Sequence, residues 1–237
     1  MTDLSVSAIN LYCDGACEPK NPGGVASYGW IMYERLEDGS NGPVLATEKK
    51  VVADGGKKAT NNFAEYCGLG FALLWLQGQK YGGSIYVYSD SKLVIHQVAK
   101  EWKCNKEHLK KLRQRIWDIA GQMHLYICTP KQKQTIEESH LAEKDQRWLV
   151  LQWVKRDKNE AADALSTEAF VEFQAARGRS TKFPSRSKKP VSISPPDNTP
   201  CHCEGCGWKG SISELISDDD KDAFVCPTCN TIGIVVD

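Results

Sequence analysis

The sequence predicts an α/β domain built on a mixed sheet, followed by a linker and a small metal-held module. Three observations carry this expectation. β-rich runs joined by turn residues open the chain. Helical and strand patterns then alternate. Five of the ten cysteines crowd together after residue 200.

The elements follow in order. Residues 9–14 (INLYCD) are an apolar run that stops at Asp14-Gly15-Ala16, a strand entering a turn. PKNPGG at 19–24 is turn chemistry, 25–33 (VASYGWIMY) is β-rich, and 43–53 (PVLATEKKVVA) reads as a third strand. Sequential strands with short links predict an antiparallel meander. Phe63, Tyr66, Cys67, Phe71, Leu74 and Trp75 recur at helical spacing and predict a buried helix over 60–77. SIYVYS at 84–89 is a strand, and Asp90-Ser91 opens a helix through Leu93, Val94, His96 and Val98. Residues 105–120 form a further helix, 148–155 a fifth strand and 158–175 a last helix. This alternation implies parallel strands joined by crossovers. Residues 123–147 fit no single pattern: HLYICTP reads as an extra strand, and the polar stretch to Arg147 as helix or loop.

Composition excludes several classes. Of 237 residues, 41% are hydrophobic and 25% charged, which excludes a wholly disordered or fibrous chain. No apolar run approaches the ~20 residues that span a bilayer, so no membrane contact is expected. The opening MTDLSVSAINLY lacks a basic run followed by an apolar core, which predicts a cytoplasmic, reducing compartment. The net charge of zero is a sum of unlike parts: 177–200 carries net +5 and 201–237 net −5. With five prolines and five serines, 177–200 reads as an extended basic linker between domains 1–176 and 201–237.

Four acidic residues stand at element ends: Asp14, Glu65, Asp90 and Asp163. Each alone has an ordinary reading. Asp14-Gly15 makes a turn, Asn62 with Glu65 makes a capping box, Asp90 caps a helix, and Asp163 is a solvated helix residue. Their order and flanks change that. DGAC at 14–17, NPGG at 21–24, TNN-F-A-E at 60–65, SDS at 89–91 and NEAAD at 159–163 together resemble ribonuclease H, type 1, over residues 8–175.

The resemblance implies a mixed five-stranded sheet with helices on both faces. It also implies two Mg²⁺ (or Mn²⁺) ions held between Asp14, Glu65, Asp90 and Asp163. Four close carboxylates repel unless divalent charge offsets them, and hard oxygen donors suit these ions. The implied activity is hydrolysis of the RNA strand of RNA–DNA hybrids, leaving 5′-phosphate and 3′-hydroxyl ends. Cys17, Asn21, Asn61 and Asn62 match the family's contacts to the hybrid groove, where the 2′-hydroxyl marks RNA. Thr60, with Lys58, matches its grip on a DNA-strand phosphate. The alternative for these residues is plain turn and cap chemistry.

Three departures stand out. Many family members carry a Gly-His dipeptide in the loop after the last strand, where the His assists proton transfer or product release. Here that loop reads Val154-Lys155-Arg156-Asp157-Lys158, with His140 a distant substitute or a solvent-facing residue. The family's basic protrusion is shortened, although Lys100, Lys103, Lys106, Lys110, Lys111, Arg113 and Arg115 leave residues 100–115 at net +5. That patch reads as a phosphate track or as a solvated helix face, and Trp102 beside it as core. Residues 123–147 look like an insertion.

Cys203-x2-Cys206 and Cys226-x2-Cys229 are two knuckles resembling a zinc ribbon, with one structural Zn²⁺ held by four thiolates. Cys201 and His202 stand beside the first knuckle and compete as ligands. The module's acidity disfavours nucleic acid and favours a protein partner. The expectation is a monomeric hybrid-cleaving endoribonuclease with a C-terminal ribbon. The alternative is a weak or inactive hybrid- or double-strand-binding module, or an adapter that uses the ribbon for a protein partner.

Overall fold

The computed structural model describes residues 4, 6–139, 141 and 145–178, and the stretches 200–203, 209–211, 216–218, 223–225 and 234–236. The chain opens with β1 (Ala8–Glu18), β2 (Val25–Arg35) and β3 (Asn41–Asp54), the expected antiparallel meander. Then come α1 (Asn61–Gly78), β4 (Ser84–Ser89), α2 (Lys92–Val98) and α3 (Glu107–Gln122). β5 (Leu125–Cys128), α4 (Pro130–Glu138), β6 (Arg147–Trp153), a 3₁₀ turn at Arg156–Lys158 and α5 (Glu160–Ala176) complete the domain.

The sheet has six strands, in the order β3-β2-β1-β4-β6-β5, where five were expected. β4 lies parallel to β1 and to β6, and β5 lies parallel to β6 at the edge. The extra strand arises from the segment that had no single reading. Leu125–Cys128 is too short to show alternation. Thr129 then starts α4 with a capping box to Gln132, followed by Pro130. α4 brings Ile136 onto a small separate core of Cys128, Trp148 and Val150.

The main core lies between the sheet and α1 with α3. Ile9, Leu11 and Cys13 of β1 and Ile85 and Val87 of β4 are buried at every second position, the strand period. α1 is apolar on nearly all sides because it is sandwiched, whereas α3 buries only one stripe of Leu109, Leu112, Ile116 and Ile119. Two glycines let helices touch strands. A Cβ on Gly29 of β2 would lie 2.4 Å from Leu165 Cβ of α5. A Cβ on Gly15 of β1 would lie 2.2 Å from the Glu65 backbone N of α1. Both helices therefore press their N-terminal halves against the C-terminal end of β1 and its neighbour, and that junction holds the site.

Thr60, not Asn62, caps α1: its hydroxyl accepts from Phe63 N at 3.1 Å. Asn62 and Glu65 are released from the capping role that their spacing suggested. No helix among the described residues is long and apolar enough to cross a membrane. Beyond residue 199, short strands form an antiparallel three-stranded sheet (Pro200–Cys203, Lys209–Ser211, Ile234–Val236) and a separate two-stranded one (Ile216–Asp218, Ala223–Val225). The zinc reading falls on the Cys203 side chain, Cys206, Cys226 and Cys229, and lies outside the described residues, as do His140 and linker residues 179–199.

Candidate active site

In the parallel pair of β1 and β4, Tyr12 stands opposite Tyr88. Two residues further on, Asp14 and Asp90 therefore come level at the strand ends, on one face of the sheet. Glu65 arrives from α1 through the contact at Gly15. Carboxylate oxygens of Asp14, Glu65 and Asp90 lie within 4.8 Å of one another. Each is held by a neutral donor. Ser166 Oγ of α5 donates to Asp14 Oδ2 at 2.6 Å, and Ser89 Oγ to Glu65 Oε2 at 3.3 Å. Asn159 Nδ2 donates to Asp90 Oδ1 at 3.2 Å. Ser91, the residue after Asp90, caps α2 through Val94 N. Asp90 itself is thus not spent as a cap.

Asp163 stands apart from this trio. Its Oδ1 accepts from Nε of Arg156 at 3.1 Å and also from the Arg156 Nη2. The loop that lacks the family's His thus sends a guanidinium onto the fourth acid. Asp163 remains near enough for its charge to act on Asp14.

Crowding shows in the titration. Burial, with the charges of Asp90 and Asp163, pushes Asp14 from 3.8 up to about 7, against the opposing Ser166 hydrogen bond and Arg156. Burial, then the charges of Asp14 and Asp90, holds Glu65 well above the usual carboxylate range. Without a counter-ion the cluster therefore retains protons, which a bound divalent cation would displace. All the donors are carboxylate oxygens, hard ligands suited to Mg²⁺ or Mn²⁺. The residues present fit such an ion.

The residues matched to the hybrid groove gather on one side of α1. Asn21 Oδ1 accepts from Asn61 N at 3.4 Å, tying the 19–24 turn to the helix start. Asn61 is exposed, and Asn62 is half-buried one turn before Glu65 on the same helix face. Thr60 and Lys58 are half-buried in the approach to α1. Cys17 differs from expectation. It is buried, and its thiol donates to Lys20 O at 3.3 Å and Ala59 O at 3.2 Å. Gly23 N also donates to Ala59 O, at 2.8 Å. Cys17 fastens the two Asn-bearing loops together instead of facing a ligand.

Trp102 corrects a second expectation. It is 47% exposed, with its ring 4.6 Å from that of His96 and stacked on it, so it is surface and not core. Of the basic stretch, Lys100, Lys103, Lys106, Lys110 and Lys111 are exposed. Arg113 turns onto the Trp117 ring at 4.4 Å. Ser89, Asn159 and Ser166 escaped the sequence reading. The signal for two of them was available, since 159, 163 and 166 share one face of a helix.

A mixed α/β sheet whose adjacent strand ends carry an acidic trio able to hold a divalent cation, beside the starts of two helices, defines the class: an α/β domain with a candidate metal centre. The chain belongs to the RNase H family, whose family model, described as RNase H, matches residues 6–171. Among curated proteins it is 30% identical over 151 residues to the "Bifunctional protein Rv2228c" of Mycobacterium tuberculosis, covering 63% of this chain and 32% of that protein. The chain thus matches about a third of the length of that relative. The solved N-terminal RNase H domain of the same mycobacterial protein is 27% identical, with a TM-score of 0.53, covering 72% of this chain and 99% of that one. RNase H1 from the halophilic archaeon Halobacterium salinarum is 25% identical, with a TM-score of 0.51, covering 70% and 98%.

Proposed function

We propose that this chain is an endoribonuclease that hydrolyses the RNA strand of RNA–DNA hybrids with two Mg²⁺ or Mn²⁺ ions, leaving 5′-phosphate and 3′-hydroxyl ends. The observation that carries the reading is the trio of Asp14, Glu65 and Asp90 within 4.8 Å, in a domain matched to the RNase H family. These three would hold the ions, with Asp163 joining once Arg156 lets go of it. Bound Mg²⁺ supplies charge to activate water and to stabilise the leaving oxygen of an in-line displacement.

The chain's own residues do the rest. Ser166 and Ser89 keep Asp14 and Glu65 facing the cluster through their hydrogen bonds. Asn21, Asn61 and Asn62 offer amides that both donate to and accept from a 2′-hydroxyl, which restricts cleavage to RNA. Thr60 and Lys58 flank a DNA-strand phosphate, and the exposed lysines from 100 to 111 track the duplex backbone.

A labelled hybrid incubated with Mg²⁺, Mn²⁺ or EDTA tests this. Cleavage with metal, none with EDTA, none for Asp90→Asn and none of double-stranded DNA is the expected result. The second reading, a hybrid-binding module without turnover, is favoured by the Arg156 hold on Asp163. It predicts metal-independent binding and no cleavage by the parent.

For the C-terminal module the proposal rests on spacing and charge: Cys203, Cys206, Cys226 and Cys229 hold one structural Zn²⁺, and its acidic composition favours a protein partner. Elemental analysis should find about one zinc per chain, lost when Cys226 and Cys229 become Ser.

A further inference from the structure

Asn159 stands at the start of α5 and is 1% exposed. A residue in that place usually spends its side chain on the helix's free N–H groups. Asn159 makes no such bond. Its Nδ2 donates to the Cys13 carbonyl of β1 at 3.0 Å and to Asp90 Oδ1 at 3.2 Å. Its Oδ1 is buried and takes no hydrogen bond from the described residues. The orientation follows from these partners. With the amide turned over, Oδ1 would face a carbonyl oxygen and a carboxylate oxygen, three acceptors with no proton between them. A helix normally gains from its N-cap side chain; here that gain is forgone and an acceptor is left buried, while the amide joins the Cys13 carbonyl to Asp90.

Asp90 needs that contact more than its neighbours do. β4 ends at Ser89, so Asp90 lies in the turn beyond the ladder. Trp153 Nε1 donates to the Asp90 carbonyl at 3.1 Å, which holds the main chain and leaves the carboxylate free. Among the described residues, Asn159 is the one side chain that donates to that carboxylate. The repulsion from Asp14 and Glu65 acts to turn it away.

We propose that Asn159 is a positioning residue for the acidic centre: through one amide shared between β1, Asp90 and α5, it holds the Asp90 carboxylate toward Asp14 and Glu65 before a cation arrives. This rests on the metal-dependent reading above for its activity arm only. It assigns a role in cation capture to a residue that is not itself a ligand.

The test uses the full chain with Asn159→Ala, Asn159→Ser and Asn159→Asp. Three quantities are read: hybrid affinity in EDTA by fluorescence anisotropy, Mn²⁺ affinity of the free protein by calorimetry, and kcat with KM. Asn159→Ala should bind hybrid in EDTA within about twofold of the parent and lose roughly tenfold to a hundredfold in Mn²⁺ affinity and kcat, with KM little changed. Asn159→Asp, which keeps the shape and replaces the donor with an acceptor, should fall at least as far. Asn159→Ser, which keeps a donor, should lie between Ala and the parent.

A folded Asn159→Ala with parental Mn²⁺ affinity overturns the proposal. So does joint loss of EDTA hybrid binding and of the parental circular dichroism in Ala and Ser, which would make Asn159 a fold residue only. A parent that cuts no hybrid refutes the functional reading and leaves the Mn²⁺ titration to judge Asn159.

Discussion

Replacing Asp14 with Asn should abolish cleavage and, in the absence of metal, stabilise the protein. Asp14 is 6% exposed, and its folded value is pushed from 3.8 to about 7. Between these two values the folded chain keeps a proton that the unfolded chain has released, so stability falls as pH rises. Above pH 7 the cost is complete. A shift of about 3 units corresponds to an upper bound of about 4 kcal/mol, and at pH 5 less than half of that applies. The amide of Asp14→Asn carries no charge and still offers its Oδ1 to the Ser166 hydroxyl. The assay is urea unfolding in EDTA at pH 5 and pH 7.5, repeated with saturating Mg²⁺. The variant should exceed the parent by more at pH 7.5 than at pH 5. Mg²⁺ should then restore the parent, because an ion that binds only the folded form adds stability by mass action. An Asp14→Asn protein less stable than the parent at pH 7.5 in EDTA, with the parent's pH slope, refutes the reasoning.

Other substitutions probe other contacts. Gly15→Ala places a methyl 2.2 Å from the Glu65 backbone N, so it should cost about 1–3 kcal/mol in urea unfolding and disperse the trio, seen as lost Mn²⁺ binding by calorimetry. Arg156→Ala removes a largely exposed partner of Asp163 and should change unfolding free energy by less than about 1 kcal/mol. It should also lower the Mg²⁺ concentration for half-maximal cleavage; a rise would show that the guanidinium assists the reaction. Cys17→Ala cuts the thiol bonds to Lys20 O and Ala59 O and should raise KM for hybrid severalfold with kcat retained, whereas Cys17→Ser should behave as the parent.

Much of the fold was legible because its elements carry their own period. The apolar run at 9–14 and the helical recurrence from Phe63 to Trp75 each point to a buried element without help from elsewhere. β5 was legible as an extra strand in HLYICTP, but its place in the sheet was not. Its four residues include an exposed Tyr126, and the parallel pairing with β6 at the sheet edge is set by contacts with a distant segment. Within the site, the converging acids were readable from their flanking motifs, but the contacts that support them were not. In the sequence Asn159 is only the first residue of NEAAD, and the nearness of Cys13 and Asp90, 146 and 69 residues away in the chain, shows where its amide goes. Cys17 and Trp102 were misplaced for a similar reason. Whether a side chain turns inward depends on which loop lies over it, and that is settled by packing between distant segments.

The hydroxyl of Ser166 reaches Asp14 across 152 positions of chain. During synthesis, β1 leaves the ribosome first and α5 last among the elements of this domain. Until α5 docks, Asp14 lacks its hydrogen-bond donor, and Asn159 has no place beside Asp90. If the proposed activity holds, a nascent or truncated chain without α5 lacks the supports of its acidic centre however much of its sheet has formed, and turnover becomes a readout of completed folding.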